Sequence, residues 1–430
     1  MKIKELYKLF QAHPTISTDS RDIKPNSIFF ALKGENFDGN NFASKALESG
    51  SEIAVVDNPE IAVDGRYFLV GNVLDTLQQL AHEHRKELGL PILGITGTNG
   101  KTTTKELIAA VLSKRYNVHF TQGNFNNHIG VPLTLLKMKR ETEIGVVEMG
   151  ASHPGEIAAL CKIVLPDYGL ITNVGKAHLE GFGTFDGVKQ TKAELYRSIE
   201  KKKGKIFINL DNNILDELAG PSLERVGYGT SAEAFLQGRV VESAPFLKLH
   251  VRLADEELPI QTRLVGAYNF ENALAAACVG KYFNIGPSDI KTAIEEYSPD
   301  NNRSQFIHKG SNQIVMDAYN ANPTSMQASI QNFLSLNSSN KILILGDMLE
   351  LGSDSQSEHQ RIADLLKDKK VKLAFIVGGN FESTRHSPPV RSFKNIGSLI
   401  KFLKENPITK SLILIKGSRG IRLERVLDVI

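Results

Sequence analysis

The chain has 430 residues, enough for about three domains at the usual ~150 residues each. Its 41% hydrophobic and 23% charged residues are ordinary for a globular protein, and a net charge of +3 gives no field that would select nucleic acid or a membrane surface. No run approaches the roughly 18 apolar residues of a membrane span, the N-terminus MKIKELYKLFQ lacks a signal-peptide core, and Cys161 and Cys278 read as buried thiols of a reducing cytosol.

Ile3, Leu6, Tyr7 and Phe10 follow helical spacing, so residues 2–11 are expected to form an amphipathic helix. Strands are expected over 27–32, 52–56 and 66–70, with a helix over 42–49 stopped by Gly50. Leu74, Leu77, Leu80, Ala81, His84 and Leu88 mark a closing helix, and the segment 89–91 then reads as a hinge. Between these elements lie Thr18-Asp19-Ser20-Arg21, Lys33-Gly34 and Asp38-Gly39. Loops that gather Ser, Arg, Lys and Asp suit a charged sugar nucleotide; they are equally ordinary turn chemistry. Residues 1–88 thus read as a small α/β domain.

The stretch 90–112, LPILGITGTNGKTTTKELIAAVL, carries the most chemistry. Ile92, Leu93 and Ile95 form a buried-strand run, Gly94, Gly97 and Gly100 open the backbone, and helical spacing begins at Lys101. Strand, glycine turn and helix together make an anion cradle of converging N–H groups at a helix N-terminus. Lys101 is placed to reach β- and γ-phosphates, and the Thr102 hydroxyl to ligate Mg²⁺. The generic spacing is broken once, since it requires glycine where Ile95 stands.

Next comes GNFNNHIGVP, residues 123–132, whose amides can donate and accept around a polar ligand or fill a turn. A strand over 144–149 ends near Glu148, where such sheets gather ligands; an acidic oxygen there suits Mg²⁺ or pairs with a lysine. A strand over 168–174 leads to GKAHLEGFG, placing His178 among glycines, as structural a choice as a functional one. Lys192 lies on a helix and reads by itself as a solvated charge. Alternation from about 234 to 265 suggests an antiparallel appendage. A helix then opens at GAYNFENALAAA, with Asn269 and Asn272 on one face of its first turn. A second helix is expected over 288–297, and 298–302 is a linker by composition.

From 301 to 430, apolar runs at 314–316, 342–345, 373–377 and 412–415 alternate with helical patterns at 325–336, 359–366, 396–403 and 422–429. That alternation implies a mainly parallel sheet. DAYNANP, GDMLELG, GGN and KGSR follow the four runs, so four polar loops share the rim where these folds bind ligands.

Taken together, GTNGKT, GNFNNHIGVP, NVGKAHLEGFG, MDAYNANPTSM, LGDMLELG and the N-terminal TDSRDIKPNSIFFALKGENFDGNNF resemble the Mur ligases along nearly the whole chain. Folylpolyglutamate synthetases share a similar phosphate loop, so another Mur-type or folylpolyglutamate-type amino acid ligase is the alternative. The resemblance implies three domains: a UDP-sugar-binding domain over 1–88, a P-loop ATPase-type domain with an antiparallel appendage over 89–300, and a Rossmann-like domain over 301–430. It implies ATP-driven, Mg²⁺-dependent amide ligation in the cytoplasm by a monomer, joining D-alanyl-D-alanine to UDP-N-acetylmuramoyl-tripeptide through an acyl phosphate, without nucleic acid or membrane insertion. ATP is expected at Gly97, Thr98, Asn99, Gly100, Lys101, Thr102 and Thr103, with Asn269 and Asn272 on the adenine side and Arg303 and Asp317 reaching it from the third domain. Metal contacts are expected from Thr102, Glu148, His178 and Lys192, the lysine through a carbamate; Lys101, Lys192 and His178 are the expected catalytic groups. Substrate contacts are expected at Ser20, Arg21, Lys33, Asn124, Asn126, Asn320, Asn322, Asp347, Lys416 and Arg419.

Overall fold

In the computed structural model the described residues are 2–253, 256–300, 302–367 and 371–430. Asn301 of the expected linker and Ala254 and Asp255 of the expected β-like segment lie outside them. Three α/β bodies follow one another along the chain. The first is a four-stranded parallel sheet in the order Thr15–Ser17, Ser27–Phe30, Ser51–Val56, Tyr67–Leu69. Strand Ser27–Phe30 is buried throughout, which its continuous apolar run Ile28-Phe29-Phe30 requires of a central strand. Helix Lys2–Ala12 buries Leu6 and Phe10.

Helix Val73–Leu88 is capped by the Asn72 side chain, which accepts the N–H of Asp75, and ends at Gly89 with φ 62°. Only the missing Cβ makes that left-handed stop inexpensive. The helix buries Leu77, Leu80 and Ala81 in a core that continues into the next body through Ile92, Val131, Leu135 and Leu160. The segment expected as a hinge, 89–91, thus joins two bodies that share one apolar core. Leu90 is buried, and several apolar side chains worth about 1.5–3 kcal/mol each hold the first two bodies together.

The second body is a nine-stranded sheet. Its order is Glu256–Val265, Phe246–Leu253, Leu236–Glu242, Glu224–Gly229, Lys205–Asn209, Tyr168–Ile171, Ile92–Thr96, Ile144–Glu148, Val118–Phe120. The first three strands pair antiparallel, forming the appendage, and the rest are parallel. Register pairs Ile95 with Glu148 and Thr96 with Ile171, so three strands end together on one edge. Strand Tyr168–Ile171 stops three residues earlier than its apolar pattern suggests, because Thr172 and Asn173 turn toward the glycine loop.

The third body is a six-stranded sheet in the order Gln305–Lys309, Asn312–Asp317, Leu412–Lys416, Lys341–Gly346, Leu373–Val377, Val390–Phe393. Only its first pair is antiparallel. The expected C-terminal α-helix is instead a 3₁₀ turn, Leu423–Asp428. Its buried Leu423 and Val426 are three residues apart, which suits a three-residue turn, and Arg422 enters it left-handed at φ 59°. Among the described residues no helix is long and apolar enough to cross a membrane.

Candidate active site

The strand Ile92–Thr96 delivers the chain into the turn Gly97–Gly100, and helix Lys101–Leu112 carries it away. Gly97 has φ 141° and Gly100 φ 78°. A Cβ on Gly97 would sit 2.0 Å from Thr172 Oγ1, and one on Gly100 would sit 2.5 Å from Asn272 Oδ1. Glycine is thus required twice, by conformation and by space.

The neighbouring strand end clamps the turn. The Thr98 N–H donates to Asn173 O at 2.9 Å and the Asn99 N–H to Asn173 Oδ1 at 3.0 Å. Thr172 Oγ1 and Asn173 Nδ2 both donate to Asn99 O, at 2.7 and 3.1 Å. Lys101 Nζ curls into the turn, donating to Gly97 O at 2.8 Å and Thr98 O at 3.0 Å. Burial lowers the pKa of its ammonium, Glu148 opposes that, and Arg303 adds to it.

Thr102 Oγ1 donates to Glu148 Oε2 at 2.9 Å, and Asn126 Nδ2 donates to Oε1 at 2.8 Å. Glu148 is 1% exposed, so its charge is held by these donors and by Lys105 Nζ at 3.9 Å. Hydroxyl and carboxylate at the mouth of the turn form a hard-oxygen pair of the kind Mg²⁺ shares with phosphate oxygens. Among the described residues no three His, Cys, Asp or Glu side chains converge as a closed metal cage. A cation here would therefore be held jointly with its nucleotide.

Lys192, on helix Phe185–Lys201, is 2% exposed and lies over the Phe182 ring at 5.3 Å. Burial, reinforced by Lys101 and opposed by Glu156 and Glu194, lowers its pKa to about 7. The solvated-charge reading of the bare sequence fails here: roughly half the amine is neutral near pH 7. His178 sits at φ 50°, with Nδ1 2.6 Å from Glu350 Oε2 in the third body.

Around these groups lies a cavity of about 910 Å³. The middle body lines it with Thr98–Thr103, Asn124, Asn126, Glu148, His178, Asn269 and Asn272, among others. The third body adds Arg303, Asp317, Asn320, Asn322 and Lys416, and the first adds Gln78. Asn272 Nδ2 donates to Asn269 Oδ1 at 2.9 Å, and Thr104 Oγ1 to Asn272 Oδ1 at 2.9 Å, so both amides are fixed beside the turn. Asp317 is bridged to Lys416 at 2.5 Å across adjacent strands. Asn322 reaches the turn directly, donating to Asn99 Oδ1 at 2.8 Å.

Other expected residues stand elsewhere. Arg21 is exposed and paired with Asp19, Ser20 neighbours it, and Lys33 pairs with Asp57 at 2.9 Å; none lines the cavity. Asp347 has a different task. Its oxygens accept the N–H groups of Asn380 and Phe381 at 3.0 and 2.9 Å, so it ties two third-body loops together outside the cavity lining. Arg419 also lies outside the lining, 5.4 Å from the Tyr319 ring that Arg303 stacks on at 3.5 Å. Thr172, Asn173, Tyr319 and Glu350 carry site geometry that the sequence reading did not single out. The signal available for the first two was their position immediately after a strand parallel to the phosphate-loop strand.

Three family models cover the chain in succession: "Mur ligase family, catalytic domain" over 14–93, "Mur ligase middle domain" over 95–280, and "Mur ligase, glutamate ligase domain" over 302–419. The chain is 38% identical over 426 residues to the UDP-N-acetylmuramoyl-tripeptide–D-alanyl-D-alanine ligase of Bacillus subtilis, covering 96% of this chain and 92% of that one. Its fold is similar to MurF from Acinetobacter baumannii, with TM-score 0.86 and 29% identity over 98% of this chain and 97% of that one. It is equally similar to MurF ligase from Thermotoga maritima in complex with ADP, with TM-score 0.86 and 27% identity over 97% of each chain. The chain belongs to the Mur ligase family.

Proposed function

We propose that the protein is an ATP-dependent ligase that joins D-alanyl-D-alanine to UDP-N-acetylmuramoyl-tripeptide in peptidoglycan precursor synthesis, acting in the cytoplasm as a monomer. The observation that carries this reading is the cavity itself. A phosphate-type turn with its lysine and hydroxyl opens into one space lined from all three bodies, the arrangement needed to bring a nucleotide and two further substrates together. The relatives' names supply the substrates. The buried free thiols Cys161 and Cys278 suit a reducing compartment.

A carboxylate does not acylate an amine unaided, because its oxygen is a poor leaving group. In this reading the tripeptide carboxylate attacks the γ-phosphate of ATP, giving an acyl phosphate and ADP. The dipeptide amine then attacks the acyl carbon, and phosphate leaves. Lys101 and the N–H groups of the turn cradle the phosphates and offset charge as it moves between oxygens. Magnesium would supply further charge neutralisation, held by Thr102 and Glu148 and, for a second ion, by His178 and the carbamate of Lys192. Asn269 and Asn272 flank the nucleotide base, with Arg303 and Asp317 approaching from the third body. Ser20, Arg21 and Lys33 take the uridine diphosphate, Arg21 and Lys33 by exchanging Asp19 and Asp57 for its phosphates. Asn124 and Asn126 line the path of the peptide, while Asn320, Asn322, Lys416 and Arg419 meet the incoming dipeptide.

Incubation with ATP, UDP-N-acetylmuramoyl-tripeptide and D-alanyl-D-alanine should yield the pentapeptide product by mass spectrometry, with phosphate release dependent on both partners. Phosphate release at full rate without the dipeptide, and no new amide, would defeat the reading.

A further inference from the structure

Lys105 stands one turn beyond Lys101 on the helix Lys101–Leu112, yet it is fully buried and does not line the central cavity. Its Nζ makes no hydrogen bond among the described residues. It lies 3.5 Å from Glu106 Oε1 and 3.9 Å from Glu148 Oε2, with the Phe120 ring centroid at 5.7 Å. Burying an ammonium is costly, and hydrogen bonds usually offset the cost. Here two carboxylates offset it by charge alone.

The two carboxylates have different surroundings. Glu106 lies outside the cavity lining, and its Oε2 accepts the Tyr297 hydroxyl at 2.7 Å. Glu148 lines the cavity, and its two oxygens are aimed by Thr102 and Asn126 while its N–H donates to Thr121 Oγ1 at 3.0 Å. Lys105 therefore adds positive charge behind Glu148 without occupying either oxygen. Charge alternates from Glu106 through Lys105 to Glu148. Lys101 is close enough to feel the same carboxylate, so two ammonium groups act on one cavity-facing oxygen pair. A divalent cation arriving there alone meets a carboxylate whose charge is already largely offset.

We infer that Lys105 sets the order of binding: its buried charge keeps Glu148 from holding a divalent cation by itself, so the cation enters only in company with the phosphates of a nucleotide. Lys105 touches no reacting atom; it is a positioning residue that acts through the charge of Glu148. This rests on the ligase reading, in which Thr102 and Glu148 hold the cation. It adds that the site opens to the metal–nucleotide pair as a unit and empties with it.

Opposite signs in two binding experiments test it. Lys105→Met removes the charge at nearly the same length, and thermal melts would verify its folding. Manganese titration without nucleotide, followed by electron paramagnetic resonance, reads the bare site, which is identified by its loss in Glu148→Gln. Lys105→Met should bind manganese about tenfold more tightly than the parent chain. Calorimetry with ADP in the presence of a chelator reads the cation-free nucleotide, which Lys105→Met should bind about three- to tenfold more weakly. A merely structural lysine would, on removal, loosen both. Glu106→Gln keeps an acceptor for Tyr297 but strips the charge that balances Lys105. It should shift both affinities the other way, manganese about threefold looser and cation-free ADP about threefold tighter. If Lys105→Met does not fold, Glu106→Gln decides alone. Parent-like manganese affinity in the folded Lys105→Met, loosening of both ligands there, or unchanged or tighter manganese in Glu106→Gln would overturn the inference. Manganese binding that Glu148→Gln leaves unaltered would overturn it together with the cation assignment beneath it. A parent chain that shows the expected binding but makes no pentapeptide would sink the ligase reading separately.

Discussion

At the scale of single residues, two lysines in one cavity are given opposite tasks by their surroundings. Lys101 is held by two carbonyls of its own turn, so its charge is fixed where phosphate oxygens would arrive. Replacing it with alanine should cost roughly 3–4 kcal/mol of transition-state stabilisation, a fall of about 10²–10³ in kcat, with the circular dichroism spectrum unchanged. Turnover near that of the parent chain would remove its assigned role. Lys192 has no such partners, and burial leaves its pKa at about 7. Above that pH the folded protein holds a neutral amine able to combine with CO₂, whereas an ordinary lysine becomes neutral only near pH 10. A ¹³C-carbamate NMR signal from labelled bicarbonate should therefore grow as pH rises through about 7 and be missing from Lys192→Ala. A signal that persists in the variant would refute the assignment. Added short carboxylic acids should partly restore activity to Lys192→Ala. Between pH about 7 and the ordinary value of 10.5, the unfolded chain binds the extra proton, so this residue makes stability increase with pH across that window.

At the scale of elements, the phosphate turn depends on parts far away in the chain. Helix Pro323–Ser335 begins at Asn322, whose side chain accepts the Ser325 N–H at 2.9 Å in a capping box and also donates to Asn99 of the turn. Asn322→Ala should lower stability by about 0.5–2 kcal/mol through the lost cap. Asn322→Ser should recover that stability, yet it is too short to reach Asn99. Its KM for ATP should therefore remain raised in a steady-state assay, and full recovery of both would mean that the Asn99 contact does nothing for the site. The turn's own strand, glycines and helix were legible because each is encoded within 23 consecutive residues, 90–112, by local pattern. Its clamp was not. Thr172 and Asn173 continue an apolar strand in sequence, and only the pairing of Ile171 with Thr96 brings them to the turn. The structural task of Asp347 was hidden for a similar reason: a rim position does not reveal that backbone N–H groups of 380 and 381 have already claimed both oxygens. The C-terminal segment misled because spacings of three and four look alike over eight residues.

At the scale of the molecule, the two junctions between bodies differ in their share of polar contacts. The first and second bodies share one apolar core, so their relation is set by packing. The third body meets the second through polar contacts, Asn322 to Asn99, Glu350 to His178 and Glu358 to Lys176, beside a smaller apolar seam in which Val265 and Phe246 of the appendage pack with third-body residues such as Phe306. Composition at 89–91 did not reveal that shared core, because a glycine–proline break reports local backbone freedom and not the packing on either side of it. Polar contacts exchange readily with water, which makes this the face along which opening and closing should occur during turnover. Lys176 and Glu358 offer a direct measure. The carboxylate is buried, while the lysine is 45% exposed, so solvent screens the pair and its coupling should be about 0.5–1 kcal/mol. In a double-mutant cycle of Lys176→Met and Glu358→Gln, kcat/KM for the dipeptide should show a coupling of about two- to fivefold. The coupling should fade toward unity as salt rises to about 0.5 M, where screening acts within a few ångströms. Coupling that is unchanged by salt would mean the pair acts by shape, and none at any salt would leave the third body held by its other contacts alone.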